Sequence, residues 1–121
     1  MPNESNSPLW DYEGVVASLG GRREIVNKLI SLFVDKLPEQ LETLQQSLAA
    51  GDLGTIERVA HSIKGSAAQF KASILAQHAA ALEAAAHAGD WEAIRGKHPE
   101  VETACGELMH EIKAFLAAPA A

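Results

Sequence analysis

Residues 58–70 decide the interpretation of the fold and function of this 121-residue chain. Their sequence is Arg-Val-Ala-His-Ser-Ile-Lys-Gly-Ser-Ala-Ala-Gln-Phe. At about 100° per residue, the apolar residues in and before this stretch share one side of an α-helix. They are Leu53, Ile56, Val59, Ala60, Ile63, Ala67 and Phe70. His61 lies about 150° from the centre of that stripe, and Lys64 follows one turn later on the side of His61. The pattern predicts an amphipathic helix that presents an imidazole and an ammonium group to solvent.

Gly65 stands four residues after His61, inside the predicted helix. A glycine in a helix interior costs about 1 kcal/mol relative to alanine, which suggests a functional reason for it. Without a side chain at this position, another protein can approach the imidazole closely. A neutral exposed imidazole is a nucleophile near pH 7, and the Lys64 ammonium can neutralise a phosphoryl group. The three residues together predict a phosphoacceptor site.

Five segments have helical character, at about residues 10–19, 22–49, 53–69, 72–88 and 91–117. Gly20-Gly21 ends the first, and the pairs Gly51-Asp52 and Gly89-Asp90 each combine a helix stop with an N-cap. We expect a kink at Pro38 and a break near residues 96–99, which include Pro99. Tight links between long amphipathic helices imply antiparallel neighbours. The predicted fold is therefore all-α, an antiparallel up-down four-helix bundle with a short extra N-terminal helix.

The apolar stripes also predict which side chains form the core. In the long second helix the predicted stripe is Ile25, Leu29, Leu32, Phe33, Leu37, Leu41, Leu44 and Leu48. Cys105 lies in an apolar-periodic stretch and is expected to be a buried structural thiol. His78 is expected to be half-buried, whereas His87, His98 and His110 are expected to be solvated.

Composition and charge restrict the function. The formal net charge of −6 and the pI near 5.3 argue against nucleic acid or an anionic membrane as a partner. No apolar run approaches the roughly 20 residues that span a bilayer, and the N-terminus lacks the features of a signal peptide. A single cysteine suits the reducing cytoplasm, and the histidine spacing predicts no metal site. We expect a disordered lead-in at 1–8, one domain at 9–118 and a flexible tail at 119–121.

The segment Ala-His-Ser-Ile-Lys-Gly-Ser-Ala at 60–67 resembles the signature A-H-x-[LI]-K-G-[SAN]-[SA] of histidine-containing phosphotransfer (HPt) domains. The similarity extends over roughly residues 9–117. It implies a four-helix bundle that relays phosphoryl groups between receiver-domain aspartates, with His61 as phosphoacceptor and Lys64 as the neutralising cation. It implies a carrier rather than an enzyme, because no ATP-binding motif is present. The implied partners are response-regulator receiver domains and a hybrid sensor histidine kinase. The receiver would supply Mg²⁺, the chain itself would need no cofactor, and we expect a monomer.

Further residues near His61 are predicted to form the docking surface for the partner. They are Glu57, Arg58, Gly65, Ser66, Ala68 and Gln69. Glu83 occupies a position where members of the resembled family often carry a polar residue near the phosphoacceptor ring. These domains usually have glycine where this chain has Lys71. The loop after Phe70 is therefore expected either to tolerate lysine or to begin the next helix differently.

Three alternatives remain open at the level of sequence. The chain resembles the dimerisation domain of a sensor kinase, with its motif His-Glu-[Leu/Ile]-x-[Thr/Asn]-Pro, less well, because Ser62 rather than glutamate follows His61. It resembles the phosphoacceptor domain of a larger hybrid or chemotaxis histidine kinase more closely. A helical scaffold that binds a partner without chemistry is the third alternative, and the presence of both His61 and Lys64 argues against it.

Overall fold

The computed structural model describes residues 8–118, which form five α-helices and no strand. The helices are α1 (Tyr12–Ser18), α2 (Arg23–Ala50), α3 (Leu53–Gln69), α4 (Ser73–Ala88) and α5 (Trp91–Ala117). The all-α class is therefore confirmed. The predicted tail and residues 1–7 of the predicted lead-in lie outside the described residues.

The two Gly-Asp junctions have the geometry that the sequence predicts. Gly51 and Gly89 adopt the left-handed conformation, with φ of 70° and 68°, and end α2 and α4. The side chains of Asp52 and Asp90 then accept hydrogen bonds from the backbone N–H groups of Thr55 and Ala93, both at 3.1 Å. Each aspartate thereby satisfies one of the N–H groups that the first turn of a helix leaves without a partner.

Both long helices continue through their prolines. The predicted break near residues 96–99 is wrong, because α5 runs without interruption from Trp91 to Ala117. Pro99 is exposed, whereas Ile94 and Val101 on either side of it are fully buried. Packing of those flanking turns offsets the lost hydrogen bond of the proline, which costs about 3 kcal/mol in a helix interior. The first helix also begins two residues later than predicted, since Asp11 is its N-cap and accepts from the Gly14 N–H.

The buried stripe of α2 differs from the predicted one. Ile25 and Leu32 are wrongly predicted as core, since they are 45% and 60% exposed. The buried residues instead recur every three or four positions, apart from the adjacent pair Phe33 and Val34, and they are Val26, Ile30, Phe33, Val34, Leu37, Gln40, Leu44 and Ser47. The polar members are buried because they are hydrogen-bonded: Gln40 Nε2 donates to Ser62 Oγ of α3 at 3.1 Å, and Ser47 Oγ donates to the Thr43 carbonyl at 2.7 Å. Apolarity alone could not identify this face.

One core forms among α2, α3, α4 and α5, with the most extensive packing between α3 and α4. Cys105 is buried and His78 is half-buried, as predicted, and His87 and His110 are exposed. His98 contradicts its prediction, since it is only 8% exposed. Its position in the buried stripe of α5, between Ile94 and Val101, accounts for this burial.

The short helix α1 is fastened to the end of the bundle by aromatic contacts. The rings of Trp10 and Tyr12 lie 5.3 and 4.6 Å, centroid to centroid, from the Phe115 ring of α5. Arg23 adds a bidentate ion pair with Glu13 across the turn between α1 and α2. The segment before α2 thus lies against the bundle, with Trp10 almost completely buried.

Candidate functional site

His61 lies in the middle of α3 with 67% of its side chain exposed. Its outward position follows from its neighbours, because Ala60 and Ile63 are fully buried and anchor that turn of the helix in the core. The imidazole is therefore held on the solvent-exposed face of α3, as the periodicity of this helix predicts.

Glu83 of α4 connects His61 and Lys64 across the helix pair. One carboxylate oxygen lies 2.7 Å from His61 Nδ1, and the other lies 2.6 Å from Lys64 Nζ. The Lys64 ammonium, and after it the His61 ring, hold the pKa of Glu83 below its ordinary value of 4.5, against an opposing contribution from burial. Glu83 is thus an ionised carboxylate at neutral pH, and its side chain is only 20% exposed.

The Glu83 contact determines which imidazole nitrogen is free. An ionised carboxylate can only accept hydrogen bonds, so Nδ1 of His61 must carry the proton of that pair. In the neutral ring the other nitrogen, Nε2, then keeps its lone pair. The site consequently presents Nε2 as a nucleophile, with a carboxylate behind the ring and a cation beside it.

Gly65 has no packing role that an alanine could not fill. A Cβ atom built at this position meets no heavy atom within 4 Å. The fold therefore does not require glycine here, and the helix would gain stability from alanine. What glycine provides is free space one turn after His61 on an exposed face of α3.

The other predicted docking residues divide between two sides of α3. Glu57 faces α4, where it pairs with Nδ1 of His87 at 3.0 Å, and Ala68 also faces α4. Arg58 and Gln69 are exposed on the opposite side of His61, and the Arg58 guanidinium donates to Thr55 at 3.3 Å. Ser66 is half-buried and lies about 140° around the helix from His61.

His87 is the neighbour of the site that the sequence predicts only as a solvated residue. Its pairing with Glu57 places a second histidine–carboxylate pair across the same two helices as the first. The signal was available in the spacing, since Glu57 precedes His61 by four residues and His87 follows Glu83 by four. Predicting the contact between Glu57 and His87 from this spacing also requires the register of α4 against α3.

Two adjoining grooves follow the α3–α4 surface. We call the first the Lys71 groove; its volume is about 690 Å³, and its lining includes Trp10, Lys64, Ala68, Lys71 and Ala80. The second, the His87 groove, has a volume of about 390 Å³ and is lined by Glu57, Lys64, Ala80, Glu83, Ala84 and His87. Lys64 and Ala80 belong to both, so the grooves form one surface beside the phosphoacceptor candidate.

Two kinds of feature are not found among residues 8–118. No group of three or more His, Cys, Asp or Glu side chains is arranged to hold a metal ion there. Within the same part of the chain, no helix has the length and apolarity needed to cross a membrane.

Comparison with known proteins identifies the family. A crystal structure of histidine-containing phosphotransfer protein B (HptB) from Pseudomonas aeruginosa PAO1 matches this fold with a TM-score of 0.83 at 27% sequence identity. That match covers 92% of this chain and 96% of the other. Comparison with curated protein sequences gave no match. The family model of the Hpt domain matches residues 28–118, and the chain therefore belongs to the Hpt domain family of phosphotransfer intermediates in two-component phosphorelays.

Proposed function

We propose that His61 is the residue that carries the phosphoryl group, and that Nε2 is the atom that bonds to it. The observation that carries this proposal is the 2.7 Å contact between Nδ1 and Glu83, which leaves Nε2 free on an exposed face. Nε2 attacks the phosphorus of an aspartyl phosphate on a receiver domain. The N–P bond forms as the P–O bond to the aspartate breaks, and the receiver recovers its carboxylate. The reverse reaction delivers the phosphoryl group to a second receiver.

The residues around His61 assist this transfer by charge and position. When Nε2 bonds to phosphorus, the ring becomes cationic, and the Glu83 carboxylate stabilises the proton that remains on Nδ1. Lys64 supplies a positive charge one turn away for the phosphoryl oxygens. Gly65 leaves room for the receiver to bring the phosphorus in line with Nε2. Mg²⁺ belongs to the receiver in this proposal, because residues 8–118 contain no acidic cluster to hold it.

The same proposal includes the domain organisation, the partners and the oligomeric state of the protein. Residues 9–118 form one domain whose neighbouring helices run antiparallel, which the short connections between α2, α3, α4 and α5 support. The partners are receiver domains and a hybrid sensor kinase, and the chain carries phosphate without an ATP-binding site of its own. We propose a monomer in the cytoplasm, and sedimentation tests whether the exposed Ile25 and Leu32 mediate self-association.

The test is phosphotransfer from a purified, phosphorylated receiver domain to the wild-type protein and to His61→Gln. We expect acid-labile, alkali-stable label on the wild type and none on His61→Gln. His87→Gln is the matched control, because it removes an exposed histidine that also pairs with a glutamate across α3 and α4. Label on His61→Gln, or its loss from His87→Gln alone, would contradict the proposed site.

A second donor separates the chemistry from docking. Phosphoramidate is a small phosphoryl donor that requires no protein partner, and we expect it to label the wild type at His61. Circular dichroism of each variant shows whether the fold is intact. A folded wild-type protein that accepts phosphate from neither donor would favour a scaffold without chemistry.

A further inference from the structure

Lys71 adopts a backbone conformation that lysine rarely takes. Its φ is 59°, and it is the one described residue other than glycine with a positive φ. The conformation completes the end of α3: the N–H groups of Lys71 and Ala72 donate to the carbonyls of Ala68 and Ala67, at 3.1 and 2.8 Å. This is the Schellman arrangement, in which glycine normally occupies the left-handed position. The left-handed conformation costs a residue other than glycine about 1–2 kcal/mol of conformational free energy. The geometry of the turn therefore does not explain why lysine occupies this position.

The position of Lys71 joins it to the phosphotransfer site. It lines the Lys71 groove together with Lys64, and the floor between them is apolar, with Ala68, Ala76 and Ala80. Lys64 is paired with Glu83, and Asp11, the acidic residue of the same groove, caps α1. No ion pair of Lys71 occurs among the described residues. Its exposed ammonium therefore lies at one end of this groove without an ion pair in the described structure.

The positive charge of Lys71 matters because the rest of the chain is acidic. The whole protein carries a formal net charge of −6, so an acidic partner is repelled at long range. A local cation on the docking face counteracts that repulsion where contact occurs. Complementary charges of this kind mainly govern the rate of encounter and the choice of partner.

Helix geometry places Lys71 within reach of a partner that contacts His61. Lys71 follows His61 by ten residues and lies just beyond the end of α3 at Gln69, which corresponds to about 15 Å along the helix axis. An interface of ordinary size buries about 800 Å² on each partner, which corresponds to a circular patch with a radius of about 16 Å. A receiver centred on His61 therefore covers the alanine floor of the Lys71 groove and brings its rim to Lys71.

We propose that the Lys71 groove selects among receiver domains. An apolar face of the receiver covers its alanine floor, and Lys71 pairs with a carboxylate at the edge of that face. This inference rests on the proposed function of His61, and it adds the chemistry by which one receiver is preferred over another. Lys64 and Ala80 line both grooves. The contact at Lys71 therefore belongs to the same surface as the site of phosphotransfer at His61.

The test measures association with a receiver domain that labels the wild type, held by Mg²⁺ and beryllofluoride in the conformation of its phosphorylated state. For Lys71→Glu we expect an association rate constant about three- to tenfold lower at low salt, and a difference that shrinks at high salt. Lys113→Glu is the matched control: it makes the same change of charge on an exposed residue of α5 outside both grooves. It should have the association rate of the wild type.

Two further measurements distinguish docking from other effects. Lys71→Gly removes the charge while suiting the left-handed turn, so it should associate more slowly than wild type although its fold is at least as stable. Labelling of Lys71→Glu by phosphoramidate should equal that of the wild type. Equal association rates for wild type, Lys71→Glu and Lys113→Glu would overturn the selection role while leaving phosphotransfer intact. Failure of every receiver to label the wild type would instead overturn the proposed function and this inference with it.

Discussion

The carboxylate of Glu83 contacts both His61 and Lys64. Its ionisation should therefore affect how the stability of the protein depends on pH. Lys64 and His61 hold its pKa below the ordinary value. The stability that this contributes is therefore present above about pH 4.5 and is lost as the pH falls through the lower pKa of the folded state. Below that pH the carboxylate is protonated in both states and contributes nothing further.

Glu83→Gln tests this dependence. We expect the variant to be less stable than wild type at pH 6, with the difference between them shrinking towards pH 3. Urea unfolding at a series of pH values measures it. Glu107→Gln, at an exposed carboxylate of α5 with no ion pair in the described structure, should show no comparable pH-dependent difference from wild type. A constant difference between Glu83→Gln and wild type across this range would show that the pair contributes by packing rather than by charge.

The sequence allows some of these residues to be predicted and not others. The exposure of His61 follows from helical periodicity, because every position of α3 is fixed relative to its apolar stripe. The contact of Glu83 with His61 depends on the register of α4 against α3, which no local pattern encodes. For that reason the sequence places Glu83 near His61 only through resemblance to a family, and it does not predict the pairing of Glu57 with His87.

Gly65 lowers the stability of α3 but leaves space beside His61, so stability and function favour different residues at this position. Gly65 in α3 and Gly96 in α5 both occupy helix interiors, and an added Cβ meets no atom within 4 Å at either position. Each substitution by alanine should therefore raise the free energy of unfolding by about 0.5–1 kcal/mol. Chemical denaturation of Gly65→Ala and Gly96→Ala checks this expectation.

The two alanine variants should differ in phosphotransfer. Gly65→Ala narrows the approach to His61 and should slow transfer from a receiver, whereas Gly96→Ala, outside both grooves, should transfer at the rate of the wild type. Labelling by phosphoramidate should be much less affected in Gly65→Ala, because a small donor needs less clearance. If Gly65→Ala transferred as fast as wild type, close approach would not be the reason for the glycine.

The ends of the helices can be predicted from the sequence more reliably than the faces that they bury. Gly51 and Asp52 act through their own backbone and side chain, so their roles are local and appear in the sequence. The buried face of α2 depends on its neighbours. Ile25 and Leu32 form part of an apolar repeat on a neighbouring face, whereas Gln40 is buried through its hydrogen bond to Ser62 of α3.

For the whole molecule, Cys105 offers a direct measure of how the core holds together. It is fully buried in α5, and burial, with a smaller contribution from Glu102, raises the pKa of its thiol to about 12. Because the thiolate is the reactive form, a disulfide reagent at pH 8 should modify Cys105 only after the protein opens. The sequence predicts this burial correctly, since the apolar period of α5 continues through residue 105.

The rate of that modification should follow the global stability. Leu82 of α4 is also fully buried, and Leu82→Ala should cost about 2–5 kcal/mol. If exposure of Cys105 requires unfolding of the whole bundle, labelling of the variant should accelerate by the same free energy, roughly 30-fold for 2 kcal/mol. Stopped-flow labelling and urea unfolding of both proteins provide the comparison. Rapid labelling of the wild type, or labelling of Leu82→Ala at an unchanged rate, would mean that α5 separates from the bundle independently, and the single core would then consist of two units with different stabilities.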